Sequence, residues 1–192
     1  KNIKGIAEAK SEIIENIKPD GTLILNGDDH FYEFHNKKAI KRNLKIFSFS
    51  LKNKKSYTKL IDIKKINKKF KIFIKLGSEI LFFYSNNNSK SYVQNLLATI
   101  TVLSLFHDIK KISKDIFLDF KLPIGRGDIS KLRIKNKIIN FIDESYNSNP
   151  LSLKTALINF ANINLKEGKK HVILGDMLEL GSYSHGQHRV IS

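Results

Sequence analysis

The ten residues Phe141-Ile142-Asp143-Glu144-Ser145-Tyr146-Asn147-Ser148-Asn149-Pro150 constrain this chain most. An apolar run from Lys137 to Ile142 stops there and gives way to carboxylates, hydroxyls and amides, after which Pro150 opens a helical pattern. A strand that hands over to a helix belongs to an α/β fold, and the carboxyl ends of such strands are where these folds hold ligands. A bare connection needs only a turn residue and a cap. An Asn/Ser-rich N-cap with no further role is the plainer reading of the same residues.

The rest of the chain supports the α/β assignment. Ile3, Ile6, Ala7, Ile13, Ile14 and Ile17 recur at helical spacing, and Pro19-Asp20-Gly21 ends that helix in a turn. Thr22 to Asn26 reads as a short buried strand, followed by a helix capped at Asp28 or Asp29 that runs towards Arg42. Lys45–Ser50, Tyr57–Ile63, Phe70–Leu76 and Glu79–Tyr84 read as further strands, the last two joined in a hairpin through Leu76-Gly77-Ser78. Helices are expected over Ser91–Phe106, Ser113–Phe120 and Leu151–Ile163, a second hairpin over 129–142, and a buried strand at His171–Leu174. The loop Pro123 to Asp128 is the best boundary between two domains, 1–125 and 126–192.

Composition narrows the function classes. Hydrophobic residues make up 41% of 192, which supports a packed core. There is no Cys, so disulfides and zinc–thiolate sites are excluded. No apolar run reaches the length of a membrane span, and the start carries no secretion signal. The net charge of +16 invites a nucleic-acid reading. Only four of the 34 basic residues are Arg, however, and the lysines are spread through every segment. Arg forks are the usual readers of bases and phosphates, so a solvated lysine surface is the better account. The chain starts at Lys1 and stops at Ser192 inside an apolar-periodic segment, and a piece of a longer protein is expected.

Several positions carry chemistry. The phase of Lys10, between Ala7 and Ile13, places it on the expected inward face. A buried lysine loses basicity, and a neutral amine adds carbon dioxide to give a carbamate of the kind Mg²⁺ accepts. The alternative is a lysine whose stem covers apolar surface while its head stays in water. Asn26-Gly27-Asp28-Asp29 follows a strand directly, at the end that faces ligands or, more simply, as a helix cap. Asn95 lies in the first turn of its helix, where backbone N–H groups favour acceptor atoms. Arg126 sits between two glycines that let backbone approach a ligand closely. His185 and His188 share a helix face without an evident third metal ligand, and Asp176 pairs with Glu179 after the last expected strand.

Four motifs, in order, resemble the Mur ligases, specifically the branch that adds D-alanyl-D-alanine. They are Gly5-Ile6-Ala7-Glu8-Ala9-Lys10-Ser11-Glu12-Ile13, Leu25-Asn26-Gly27-Asp28-Asp29, Asp143 to Pro150, and Leu174 to Gly181 followed by His188-Arg189. The resemblance implies the later part of a central ATP-binding domain followed by the start of a Rossmann-like domain. It implies ATP-dependent amide formation: the carboxylate of a UDP-MurNAc-tripeptide is activated as an acyl phosphate and taken by the amine of D-Ala-D-Ala. It implies a cytoplasmic monomer that uses small molecules, with no nucleic acid and no membrane insertion. By the same resemblance, Lys10 is the carbamylated lysine that holds Mg²⁺, and Asn95, Arg126, Glu144, Asp143 and Asn26 serve ATP. Asn147, Asn149 and Asp176 face the dipeptide. Ser148 replaces the usual Ala, and Ser91-Tyr92 replaces a His-Asn pair of the family. The chain has no G-x-x-x-x-G-K-[ST] loop and lacks the Glu and His that complete the family's metal site, so these 192 residues are not expected to turn over ATP alone. Another Mur ligase, a folylpolyglutamate synthase-like ligase and a basic nucleic-acid-binding module are the alternatives.

Overall fold

The computed structural model describes residues 3–120, 124–165, 167–178 and 180–191. They form two compact units, 1–120 and 121–192. Unit one opens with α1 (Ile3–Asn16), β1 (Thr22–Asn26), α2 (Tyr32–Lys41) and β2 (Lys45–Ser50). Asp20 at φ +59 makes the expected turn, and Gly21 N–H donates to the Lys18 carbonyl at 2.9 Å. β1 and β2 run parallel in continuous register from Thr22↔Lys45 to Asn26↔Phe49, as a strand–helix–strand crossover requires. β2 then pairs parallel with β3 (Thr58–Ile66), which turns into an antiparallel meander with β4 (Lys69–Leu76) and β5 (Glu79–Ser85). The sheet order is β1-β2-β3-β4-β5.

The two faces of the sheet are covered differently. Ile46 and Phe49 stand an odd number of residues apart in β2 and so point to opposite faces. Ile46 joins Ile14 of α1, Ala39 of α2 and Leu44 in a small cluster. Phe49 joins the main core, where Ile72, Ile74 and Phe83 meet Val93, Leu96, Leu97 and Ile100 of α3 (Lys90–Leu103). Within that interface the hydroxyls of Thr58 and Thr101 are hydrogen-bonded at 2.7 Å, so neither buried oxygen lacks a partner.

The helix expected over Ser113–Phe120 does not form. A 3-10 turn at Ile109–Lys111, capped by the Asp108 carboxylate, takes the chain out of α3. Backbone groups that a helix would use are instead engaged along β5. The Lys114 carbonyl accepts from Tyr84 N–H at 2.8 Å, and Phe117 bridges Ser85.

Unit two holds the antiparallel pair β6 (Asp128–Ile134) and β7 (Lys137–Asp143), then α4 (Pro150–Ala161) and α5 (Ser184–Ile191). The strand expected at His171–Leu174 is absent, because no described strand lies beside it to complete a ladder, and Ile173 is 94% exposed. Pro123 of the boundary loop lies outside the described residues.

Candidate functional site

The turn Gly125-Arg126-Gly127 is closed against the polar segment that follows β7. Gly127 N–H donates to the Asp143 carbonyl at 2.7 Å, and Tyr146 N–H donates to the Gly125 carbonyl at 3.1 Å. Both glycines hold positive φ, +78 and +86. A Cβ at Gly125 would stand 2.9 Å from the Tyr146 nitrogen, and one at Gly127 2.9 Å from the Glu144 carboxylate. Positive φ favours glycine at both positions, and at Gly125 the backbone of Tyr146 also leaves no room for a Cβ. The turn presents the Arg126 guanidinium over the Tyr146 ring, 4.4 Å from its centroid. Gly125, Arg126, Glu144, Tyr146, Asn147 and Asn149 line one pocket of about 200 Å³.

The structure thus brings together four of the residues singled out from the sequence: Arg126, Glu144, Asn147 and Asn149. A fixed cation, a carboxylate, amides and an aromatic face form a donor set suited to a polar, hydroxyl-bearing ring with an anionic tail. Asn149 also does the plain job of a cap. Its side chain accepts from Leu151 and Ser152 N–H, and Ser152 Oγ accepts from Asn149 N–H in return, a complete capping box at the start of α4. Asp143 accepts from Ser145 N–H at 2.9 Å, and the Ser145 bonds hold its carboxyl below the usual range. Tyr146 was not singled out from the sequence, although it stands inside the motif.

Asp176 lies at a separate open depression of about 620 Å³ beside Met177, Ser184 and His188. Met177 N–H donates to His188 Nε2 at 2.9 Å, while Nδ1 faces the Ser184 carbonyl at 2.8 Å. An amide N–H only donates and a carbonyl only accepts, so the ring is the Nδ1–H tautomer with both nitrogens engaged. It is a latch between the Asp176 segment and α5, not a metal ligand. Among the described residues no group of three His, Asp or Glu could hold a metal ion. Glu179, expected to pair with Asp176, lies outside the described residues.

In unit one the carboxyl end of β1 is knitted to the loop after β2. Asn26 Oδ1 accepts from Asp28 N–H at 3.0 Å. The Asp28 carboxylate in turn accepts from Ser50 Oγ, from Leu51 N–H at 2.6 Å, and from the N–H groups of Lys52 and Asn53. Burial pushes this carboxyl up, but the four hydrogen bonds outweigh it and hold it below the usual range. Asp28 is therefore a loop clamp and not the cap of α2, whose N-cap residue is Phe31. Asn95 is exposed on α3. Tyr92 donates its hydroxyl to the Phe117 carbonyl at 3.2 Å and so ties down the segment beside β5.

Lys10 departs from the expectation of burial. The buried stripe of α1 is Ala7, Ser11 and Ile14, and Lys10 is exposed between Ile6 and Ile13, themselves exposed. The reason is the small size of Ala7 and Ser11, which lets α2 approach there. Lys38 Nζ donates to Ser11 Oγ at 2.8 Å, and His35 Nε2 lies 3.1 Å from the Ala7 carbonyl. Counting apolar residues favoured the larger isoleucines and so chose the wrong stripe. Lys38, which nothing in the sequence marked, is a cation at this interface, together with Arg42, whose guanidinium donates to the Glu15 carbonyl at 3.0 Å.

The family model described as the Mur ligase middle domain matches residues 1–103. The chain belongs to the Mur ligase family. It is 32% identical, over 100% of its length and 40% of the relative's, to the UDP-N-acetylmuramoyl-tripeptide–D-alanyl-D-alanine ligase of Buchnera aphidicola subsp. Acyrthosiphon pisum. It is similar to the crystal structure of MurF from Acinetobacter baumannii, with TM-score 0.76, 25% identity, 98% of this chain and 39% of that one covered. The fold also matches the MurF ligase from Thermotoga maritima solved with ADP, at TM-score 0.70 and 20% identity over 97% of this chain and 40% of that one. This Mur ligase chain spans about 40% of the length of the curated relatives it matches.

Proposed function

We propose that this chain is part of an ATP-dependent ligase that joins D-alanyl-D-alanine to a UDP-MurNAc-tripeptide in peptidoglycan precursor synthesis. The observation that carries the reading is the pocket in which Arg126, Glu144 and Asn147 converge around a rigid Gly-Arg-Gly turn. The whole-length similarity to ligases named for that reaction supports it. Residues 1–125 are then the later part of the central ATP-binding domain, and 126–192 the start of the carboxyl-terminal domain.

In this reading Arg126 and Glu144 hold the nucleotide's polar groups, Asp143 and Asn26 shape the loops around it, and Asn95 offers its amide to the base. The donor set of the pocket fits a nucleoside phosphate. The described residues offer no ready-made cation cage. Lys10, exposed on α1, would contribute a ligand to Mg²⁺ if carbamylated, and the ion would supply charge neutralisation at the phosphates. The tripeptide carboxylate takes the terminal phosphoryl group of ATP, releasing ADP, and the dipeptide amine then displaces phosphate to form the amide; Asn147 and Asn149 at one pocket and Asp176 at the separate depression are the residues assigned to the dipeptide. The protein's share is positioning and exclusion of water. The enzyme acts as a monomer in the cytoplasm; no helix among the described residues is long and apolar enough to cross a membrane.

Substrate profiling of the complete ligase tests the proposal. Amide formation only with the dipeptide D-Ala-D-Ala, lost in Arg126→Ala through a raised KM for ATP, is the expected result. Efficient ATP turnover by the 192 residues alone overturns the assignment of roles. A preference for a single amino acid, or for a folate acceptor, moves the chain to another branch of the family.

A further inference from the structure

The sheet face opposite α3 collects a charge pattern that the sequence hides. Across β3, β4 and β5 the register aligns Lys64 with Lys71 and Tyr84 in one row, and Asp62 with Phe73 and Phe82 in the next. A further row sets Lys59 against Lys75 and Ile80. Side chains in such rows stand about 5 Å apart across strands and roughly 7 Å apart along them. Two Lys–Lys pairs are therefore directly opposed, an arrangement that destabilises a sheet. Asp62 is the one acidic partner these rows supply. The ammoniums are partly accommodated by rings: Lys71 Nζ lies 3.9 Å over Phe82 and 5.1 Å over Phe73, and Lys64 Nζ lies 5.6 Å over Phe73.

We infer that this face docks on an anionic phospholipid surface. Three features select that occupant. The cations form a two-dimensional grid, which matches a plane of headgroup phosphates better than a linear polyanion. The aromatic faces are already capped by lysine ammoniums, so they are not open stacking platforms for bases. Ile61, Ile66 and Ile80 are 48%, 43% and 68% exposed on or beside the same strands. Aliphatic side chains among lysines and rings gain from the interfacial zone of a bilayer and gain nothing from a nucleic acid in water. A phosphate plane also relieves the opposed lysine pairs by supplying the missing countercharge. The binding is peripheral, and it is independent of the ligase reading.

Sedimentation of the full chain with vesicles tests this. Binding to phosphatidylglycerol vesicles, none to phosphatidylcholine vesicles, and release as salt is raised are expected. The pair Lys64→Glu/Lys71→Glu weakens binding by about tenfold or more. The pair Lys37→Glu/Lys41→Glu, on exposed positions of α2 and with the same change in net charge, leaves it within roughly twofold. Ile80→Ser weakens binding without altering its salt dependence. Should the glutamate pair on the sheet not fold by circular dichroism, Lys64→Gln/Lys71→Gln replaces it, with the same ordering expected. Equal losses in the two charge pairs show net charge alone at work and overturn the proposal. So does the absence of binding at low salt, or tighter binding to a single-stranded oligonucleotide or polyglutamate than to the vesicles.

Discussion

Arg126 and Tyr146 show how one contact sets a binding group. An arginine on a glycine-flanked turn has many rotamers, and the ring 4.4 Å away selects among them. Tyr146→Phe keeps the ring and is expected to leave the KM for ATP of the complete ligase almost unchanged. Tyr146→Ala removes a contact worth about 0.5–1 kcal/mol and raises that KM by roughly two- to fivefold. Steady-state kinetics separate the two variants, and equal effects would show that the hydroxyl, not the ring face, matters. His188 is a second case. Its Nε2 is the acceptor for Met177 N–H, and Asp176 Oδ1 lies 3.8 Å from the same nitrogen. His188→Ala leaves the Met177 N–H without its partner at a cost of about 1–2 kcal/mol. Amide hydrogen exchange at Met177 reads this directly: it accelerates in the variant. The histidine pair was legible in the sequence only as two rings on one face. The acceptor role depends on a backbone N–H eleven residues away, which spacing does not reveal.

At the scale of elements, the Asp28 clamp explains how β1 and β2 present their carboxyl ends as one edge. Four hydrogen bonds converge on one carboxylate, and three come from successive N–H groups of the loop that follows β2. Asp28→Asn keeps the shape but loses the charge, with an expected loss of about 2 kcal/mol in urea unfolding. The sign of the pH effect follows from the lowered carboxyl. Its contribution is complete above the unfolded value of about 4 and is lost as pH falls through the lower folded value. The gap between parent and variant should therefore be constant at neutral pH and close in strong acid. Strands and helices with local signals were legible from the sequence: β1, β2, the β4–β5 hairpin with Gly77 at φ +57, and the proline-opened α4. Two elements without independent local signals were not. Ser113–Phe120 has helix-like apolar spacing, yet its backbone is drawn along β5. His171–Leu174 is apolar and β-branched, yet strand identity is conferred by a neighbour, and none of the described strands provides one. Lys10 and Lys38 exchanged places for a related reason, since packing follows the small residues that admit a neighbouring helix and not the largest hydrophobes.

For the whole molecule, the distribution of buried surface separates the two units more sharply than the sequence implies. Unit one contains two buried clusters, with Ile14, Ile72, Ile74, Phe83, Leu97 and Ile100 almost entirely out of water. In unit two Met177 is the one buried hydrophobic residue among those described, and β6, β7 and α4 expose most of their side chains. Burial of apolar area is the main source of stability, and each fully buried aliphatic side chain contributes about 1.5–3 kcal/mol. Two units with such unequal cores are expected to unfold in separate transitions. Urea unfolding of the chain is expected to show two steps. The first removes protection from residues 124–191 while amides of β4, β5 and α3 stay protected, and the second unfolds the meander and its helix. Hydrogen exchange followed by mass spectrometry along the same titration locates each step. A single transition in which both units lose protection together would overturn this expectation.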